Sequence, residues 1–278
     1  MFIFVHPWSD SFCRKQIRVV EVAMKHAMLL FICTFTFFMQ AAYAGDTGAS
    51  DKALPFTVKT FDYNQDGVAI KLRYPEIPGI GRQYSSIDKQ IKRDMLTIRF
   101  PGKATAQTFA DTRDFVRGIK RFIMRNGFKG YEFFSGVEVA YNASNIFTVK
   151  ILNYEMPYGA ANGLNSIIYL NFNTGTGRRF TINDCFSDRA YQALVRRGKD
   201  LFVEKAKADG VFDLVDNQFL DRFYLPVNFA VTDSGVEFAY RQYEVGPRPL
   251  GMPAFTIPRG EIRALIDKGC PLQRYFYQ

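Results

Sequence analysis

The sequence predicts an α+β protein built from antiparallel sheets with helices packed on one side, in two intimately associated halves. Three observations carry that expectation. Strand-like segments follow one another in runs instead of alternating with helices, which argues against a parallel βαβ sheet. Three segments, near 86–99, 105–125 and 188–208, repeat apolar residues at helical spacing. The composition is that of a globular chain, with 278 residues, 47% apolar and 23% charged and a mean hydropathy of −0.12. That excludes a disordered chain and a polytopic membrane protein.

The N-terminus reads as an export signal. Lys25 and His26 precede an uncharged run, Ala27–Met39, that ends at the small-x-small site Ala42-Tyr43-Ala44. These are the three regions of a secretory signal peptide. Met24 stands directly before Lys25, so the expected organisation is an upstream extension from a misassigned start (1–23), a signal peptide (24–44) and a linker (45–54). An N-terminal half (55–160) and a C-terminal half (161–278) follow. The expected location is periplasmic or secreted, with a membrane attachment only if the signal segment stays uncleaved.

The elements then follow in order. Phe56–Phe61 and Val68–Tyr74 alternate and are rich in β-formers, with Asn64-Gln65-Asp66-Gly67 between them, which makes a hairpin. Ser85 or Ser86 can cap a helix whose apolar side is Ile87, Ile91, Met95 and Ile98. A second helix, from about Thr105 to Arg125, carries Phe115, Val116, Ile119, Phe122 and Ile123 inward and stops at Asn126-Gly127. Strands are expected near Tyr131–Tyr141, Ile146–Glu155 and Leu164–Phe172. A long helix starts at Asp188. Phe223–Thr232 and Val236–Tyr243 form a hairpin, Phe255–Ile257 a short strand and Glu261–Lys268 a last helix.

Removing residues 1–44 changes the chemistry available. That segment carries four basic and two acidic residues, so 32 basic and 25 acidic residues remain, a net charge of +7. It also carries both histidines and the one tryptophan. Histidine-based triads, His-ligated zinc and imidazole general bases are therefore excluded from the exported chain. No cofactor motif is present, and no cofactor or metal is expected. Two cysteines remain, Cys185 and Cys270, which an oxidising compartment would join as one disulfide.

Other motifs resolve to simpler readings. Asp62-x-Asn64-x-Asp66-Gly67 begins like a calcium loop, but the position that needs a bidentate Glu is Arg73. Gly79-x-Gly81 has Tyr84 where a third glycine belongs and follows no βαβ unit, so it is not a dinucleotide site. Arg113, Arg117, Lys120, Arg121 and Arg125 share one arc of the second helix. Such a basic face can attract an anionic surface, although most charged helix faces are simply solvated. Tyr154, Tyr158, Tyr240 and Tyr243 look exposed and suited to stacking on sugars, or to cross-strand packing.

Val227–Ile266 carries a resemblance. A strand pair around Asp233-Ser234-Gly235 leads to Tyr243-Glu244, Gly246-Pro247 and Gly251, then to a closing strand, a proline and a helix. Upstream stand a Thr-Gly turn at 174–177 and Phe180-Thr181-Ile182-Asn183-Asp184-Cys185-Phe186. Together these segments resemble the C-terminal domain family of the anti-sigma factor RsiV, also found attached to the peptidoglycan deacetylase PdaC. Tyr74-Pro75 and Ile87–Met95 look like the N-terminal half that accompanies it. The likeness covers most of residues 56–268 and consists of turn and strand chemistry, which specifies a fold better than an activity. It departs at Gly159-Ala160, where Ala161 replaces the family's histidine.

The resemblance implies an extracytoplasmic recognition domain, which in RsiV binds lysozyme. The expected function is an exported binding module without catalysis of its own, recognising a lysozyme-like protein or an anionic envelope polymer. Nucleic acid is not an expected partner. A net charge of +7 opposes encounter with a basic lysozyme at long range, though local patches set an interface. The alternative is a peptidoglycan-modifying or glycoside-cleaving enzyme using paired carboxylates. Binding is expected at the Gly- and Pro-rich segments Met156–Gly163 and Tyr243–Gly251, through Tyr158, Gly159, Asn162, Tyr243, Glu244 and Arg248.

Overall fold

The computed structural model describes residues 53–79 and 81–276. Residues 1–44, read from the sequence as an upstream extension and a signal peptide, and most of the linker lie outside the described residues. Leu54, at the linker's end, is buried. The Asn142 side-chain amide fastens it, accepting from Leu54 N at 2.8 Å and donating to Leu54 O at 3.0 Å.

The protein is α+β. A six-stranded sheet has the order β1-β2-β5-β6-β7-β8. Its strands are β1 (Thr57–Gln65), β2 (Val68–Glu76), β5 (Tyr131–Ala143), β6 (Ile146–Pro157), β7 (Leu164–Asn173) and β8 (Arg178–Phe180). A three-stranded antiparallel sheet has the order β11-β10-β9, from β9 (Phe229–Val231), β10 (Gly235–Ala239) and β11 (Ala254–Pro258). Pairing is antiparallel throughout except between β2 and β5, which run parallel. The reason is the connection. Two helices and the small ribbon β3–β4 (Thr97–Ile98 with Gln107–Thr108) intervene, a crossover long enough to return the chain in the same direction.

The layers follow from strand alternation. Odd residues of β5, such as Tyr131, Phe133 and Val137, share a core with helices α1 (Arg82–Met95) and α2 (Thr112–Asn126). On the opposite face of that sheet, Leu152, Ile167 and Tyr169 meet Ala230, Ala239 and Ala254 of the small sheet. The outer face of the small sheet, with Phe229, Phe238 and Phe255, packs under α3 (Asp188–Ala208). Helices thus cover one side of each sheet, and the sheets pack on each other. Gly198 lets α3 approach closely, since a Cβ there would lie 2.6 Å from Leu225 Cδ2.

Several boundaries differ from expectation. Helix α1 begins at Arg82, a turn before Ser85 and Ser86, and Ser86 instead accepts from Gln90 within the helix. Ile98 is buried but in β3, because β-branched Thr97 and Ile98 pair with β4. Helix α2 starts at Thr112 and not near Thr105, since Asp111 caps it by accepting from Asp114 N at 2.8 Å. Its end at Gly127, left-handed at φ 69, is as read from the sequence. The helix expected at Glu261–Lys268 is short: α5 (Arg259–Ile262) leads into a 3₁₀ turn at Arg263–Leu265. Two further helices, α4 (Asn217–Asp221) and α6 (Gln273–Phe276), were not anticipated.

Cys185 and Cys270 are joined as a disulfide with Cα atoms 4.7 Å apart. The bond ties the segment just before α3 to the C-terminal stretch that buries Leu272, Tyr275 and Phe276. Among the described residues, no helix is long and apolar enough to cross a membrane.

Candidate functional site

The small sheet covers only part of the large one. Beyond it, the even residues of β5 and β6 form an open platform. Register places Lys71, Phe134, Tyr154 and Asn165 in one row across β2, β5, β6 and β7, with Glu132 opposite Met156 in the next. Phe134 stacks on Tyr154 with centroids 6.0 Å apart and an 11° interplanar angle. Phe134 nonetheless stays 39% exposed.

Two glycines seat the tyrosines. A Cβ on Gly163 would lie 2.3 Å from the Tyr154 ring, and one on Gly130 would lie 2.4 Å from the Tyr158 ring. The rings therefore lie where only a glycine leaves room. Tyr158 N donates to Gly130 O at 2.9 Å, and its hydroxyl donates to Glu132 Oε1 at 3.2 Å. Burial pushes the Tyr158 hydroxyl up from its ordinary pKa, and the Glu132 carboxylate adds to this. Burial also raises Tyr154, with Glu132 reinforcing and Arg248 opposing the shift. Both phenols are therefore neutral hydrogen-bond donors at neutral pH.

Neighbours of the two segments expected to bind are joined here. Asn165, beside Tyr154, donates its backbone N–H to Gln242 Oε1 at 3.0 Å. This fastens the 241–251 segment to the end of the sheet that carries the 156–163 loop, and Arg248 acts on Tyr154 across the gap. Gly159 and Asn162 lie exposed on the loop, with Gly159 at φ 96. Tyr243 is 56% exposed and sits at φ 69, a left-handed conformation that a bulky residue adopts only under constraint. Glu244 is engaged elsewhere, accepting from Tyr224 OH at 2.8 Å and from Arg241 N at 2.7 Å.

Tyr240, read as exposed, is fully buried in the core beneath α3 and donates to Tyr224 O. Its even position in line with Phe238 puts it on the helix-covered face. Glu132 and Phe134 were missed as site residues. Their signal was the alternation of Tyr131-Glu132-Phe133-Phe134, which sends Glu132 and Phe134 to the face opposite the core.

The basic arc of α2 is partly engaged in structure. Lys120 pairs with Asp66 at 2.7 Å and lies 5.2 Å over the Tyr63 ring, pinning α2 to the first hairpin. Arg117 pairs with Asp114 at 3.2 Å. Arg113, Arg121 and Arg125 are exposed.

The platform does not set a second carboxylate across from Glu132 among those nearby. Glu155 points to the opposite face, where it accepts from Tyr131 OH at 2.8 Å, and Glu244 turns to Tyr224. Among the described residues, no three His, Cys, Asp or Glu side chains come together to hold a metal.

Fold and platform together define an α/β/β/α domain that displays aromatic and charged side chains on a rigid sheet. Residues 184–260, from just before α3 through the small sheet and the Tyr243–Gly251 segment, match a family model described as a protein of unknown function, DUF3298. Two solved structures share the fold. A DUF3298 family protein from Pseudomonas aeruginosa aligns with TM-score 0.61 at 15% identity, over 78% of this chain and 96% of that one. A DUF3298 family member from Bacteroides fragilis aligns with TM-score 0.55 at 15% identity, over 80% and 97%. No curated protein matches the sequence.

Proposed function

We propose that the protein is an exported binding module, without catalysis of its own, whose platform takes an anionic envelope glycan. The observation that carries this reading is the grouping of Phe134, Tyr154 and Tyr158 at the open end of the large sheet, with the Arg248 guanidinium near enough to act on Tyr154. Flat aromatic faces offer sugar rings an apolar seat, and the phenol oxygens, whose protons go to Glu132 and Met156, accept from sugar hydroxyls. A guanidinium forks onto a carboxylate or phosphate. The net charge of +7 supports an anionic partner. Export is supported by the 24–44 segment and by the disulfide.

A second reading, a lysozyme-like protein partner, rests on the resemblance to the RsiV domain family. Tyrosine and arginine also dominate protein–protein hot spots.

Co-sedimentation with purified peptidoglycan and a pull-down against lysozymes separate the two. The expected result is retention on the anionic polymer, weakened at least tenfold by Tyr158→Ala with Arg248→Ala in a chain that keeps its circular dichroism. Binding that this double variant leaves unchanged would place the site elsewhere. Capture of lysozyme instead of polymer would favour the second reading.

A further inference from the structure

Strand β1 ends the large sheet on one side, and seven of its nine residues are exposed. Its bonding pattern can be read from its turn. Asp66 at φ 54 and Gly67 at φ 74 form a two-residue type I′ turn. Gln65 and Val68 therefore exchange backbone hydrogen bonds, and so, at every second position, do Tyr63–Ile70, Phe61–Leu72, Lys59–Tyr74 and Thr57–Glu76. The N–H and C=O groups of Val58, Thr60, Asp62 and Asn64 consequently point away from β2. Among the described residues, no other strand pairs with that edge.

Such an edge is a template for another strand, and proteins usually blunt it with proline, a bulge, a very short strand or charged side chains, lysine above all. Of these β1 has only the charges of Lys59 and Asp62: it contains no proline, its register with β2 is unbroken, and it spans about 30 Å.

We propose that this edge pairs with the same edge of a second copy of the chain, antiparallel and two-fold symmetric. The register is self-complementary. Full overlap of Thr57–Gln65 with itself centres on Phe61, setting Val58 opposite Asn64 and Thr60 opposite Asp62 of the other copy. The outward-bonding residues thus meet one another without a slip. Lys59 falls opposite Tyr63, so no like charges face each other, whereas a two-residue slip toward the turn would set Asp62 against Asp62. Two-fold symmetry perpendicular to the sheet leaves both platforms on the same side, a bivalent array suited to a repeating polymer. Only that last consequence rests on the proposed function; the pairing itself does not depend on what the platform binds.

The test is the mass in solution, by light scattering and sedimentation equilibrium, of the protein as recovered from expressing cells. A dimer is expected. Thr60→Pro removes an outward N–H and none of the β1–β2 ladder, so it should give a monomer with unchanged circular dichroism. Charge variants probe the register without proline. Thr60→Lys sets a lysine opposite Asp62 of the other copy, twice, and should tighten the dimer by roughly threefold or more. Thr60→Lys with Asp62→Lys sets lysine against lysine and should dissociate it. A parent chain that stays monomeric at the highest attainable concentration overturns the proposal, as does a dimer that these variants leave unaltered.

Discussion

At Tyr243 the backbone adopts φ 69 while the ring stands half in solvent. For a residue with a Cβ, that conformation costs about 1–2 kcal/mol, which glycine avoids at a smaller entropic cost in the unfolded chain. Tyr243→Gly should therefore leave stability unchanged or raise it by up to about 1 kcal/mol in urea titrations, while weakening the platform's partner. Loss of stability in that variant would show that the ring serves packing. Glu155 makes the opposite kind of residue. Burial raises its pKa above the ordinary carboxylate value, and the bond from Tyr131 only partly offsets this. The folded state thus binds its proton more tightly than the unfolded chain. Its contribution to stability is full below the unfolded pKa near 4.5 and declines as pH rises through the folded value. Glu155→Gln keeps an acceptor for Tyr131 and removes the titration. Relative to the parent it should gain stability between pH 4 and pH 7, measured by denaturant midpoints at both.

Between elements, two asparagines do what a shared strand would otherwise do. Asn171 of β7 donates from Nδ2 to Phe229 O at 2.8 Å and accepts at Oδ1 from Val231 N at 3.1 Å, closing the outer edge of β9. Asn228 answers by accepting from Tyr169 N at 2.7 Å and donating to Ile167 O at 3.0 Å, closing the open edge of β7. Each side-chain amide mimics a peptide group, so each must donate and accept at once. Asn171→Asp turns an acceptor toward the Phe229 carbonyl and buries a charge. It should cost roughly 3 kcal/mol in equilibrium unfolding, far more than Asn162→Asp on the exposed loop. No local pattern announces this stitch, because residues 171 and 228 belong to different sheets. The parallel β2–β5 pair was illegible for a similar reason: strands separated by two helices leave no trace of their direction in either segment. What was legible was local. The inward side of α2, the turn at Asp66-Gly67 and the long strands follow from periodicity and turn chemistry. Met156–Gly163 and Tyr243–Gly251 were singled out because both are irregular and join strong strands. Glu132 was passed over and Tyr240 misread as exposed because their face depends on which sheet side the helices cover.

Over the whole molecule, the C-terminal stretch closes the layer beneath α3. Tyr275 donates to Thr232 O at 2.6 Å, and the Arg259 guanidinium lies 4.3 Å over the Tyr275 ring. The Cys185–Cys270 bond holds this stretch against the outer layer across 85 positions of sequence. Replacing both cysteines by serine should lower unfolding free energy by up to about 4.5 kcal/mol on the chain-entropy account. A thermal scan with and without reductant should show the same difference in the parent and none in the double variant.

That bond also has a place in time. Cys270 is polymerised 85 positions after Cys185, a delay of about 4–17 s at ordinary rates of synthesis. For that interval the earlier thiol lacks its native partner, and the strands, loops and helices between the two sulfurs emerge before the clasp can shut. The Cys185–Cys270 bond thus marks a chain whose synthesis has passed residue 270, and a ribosome stalled within the interval leaves a species without that bond, whose thiols labelling can count.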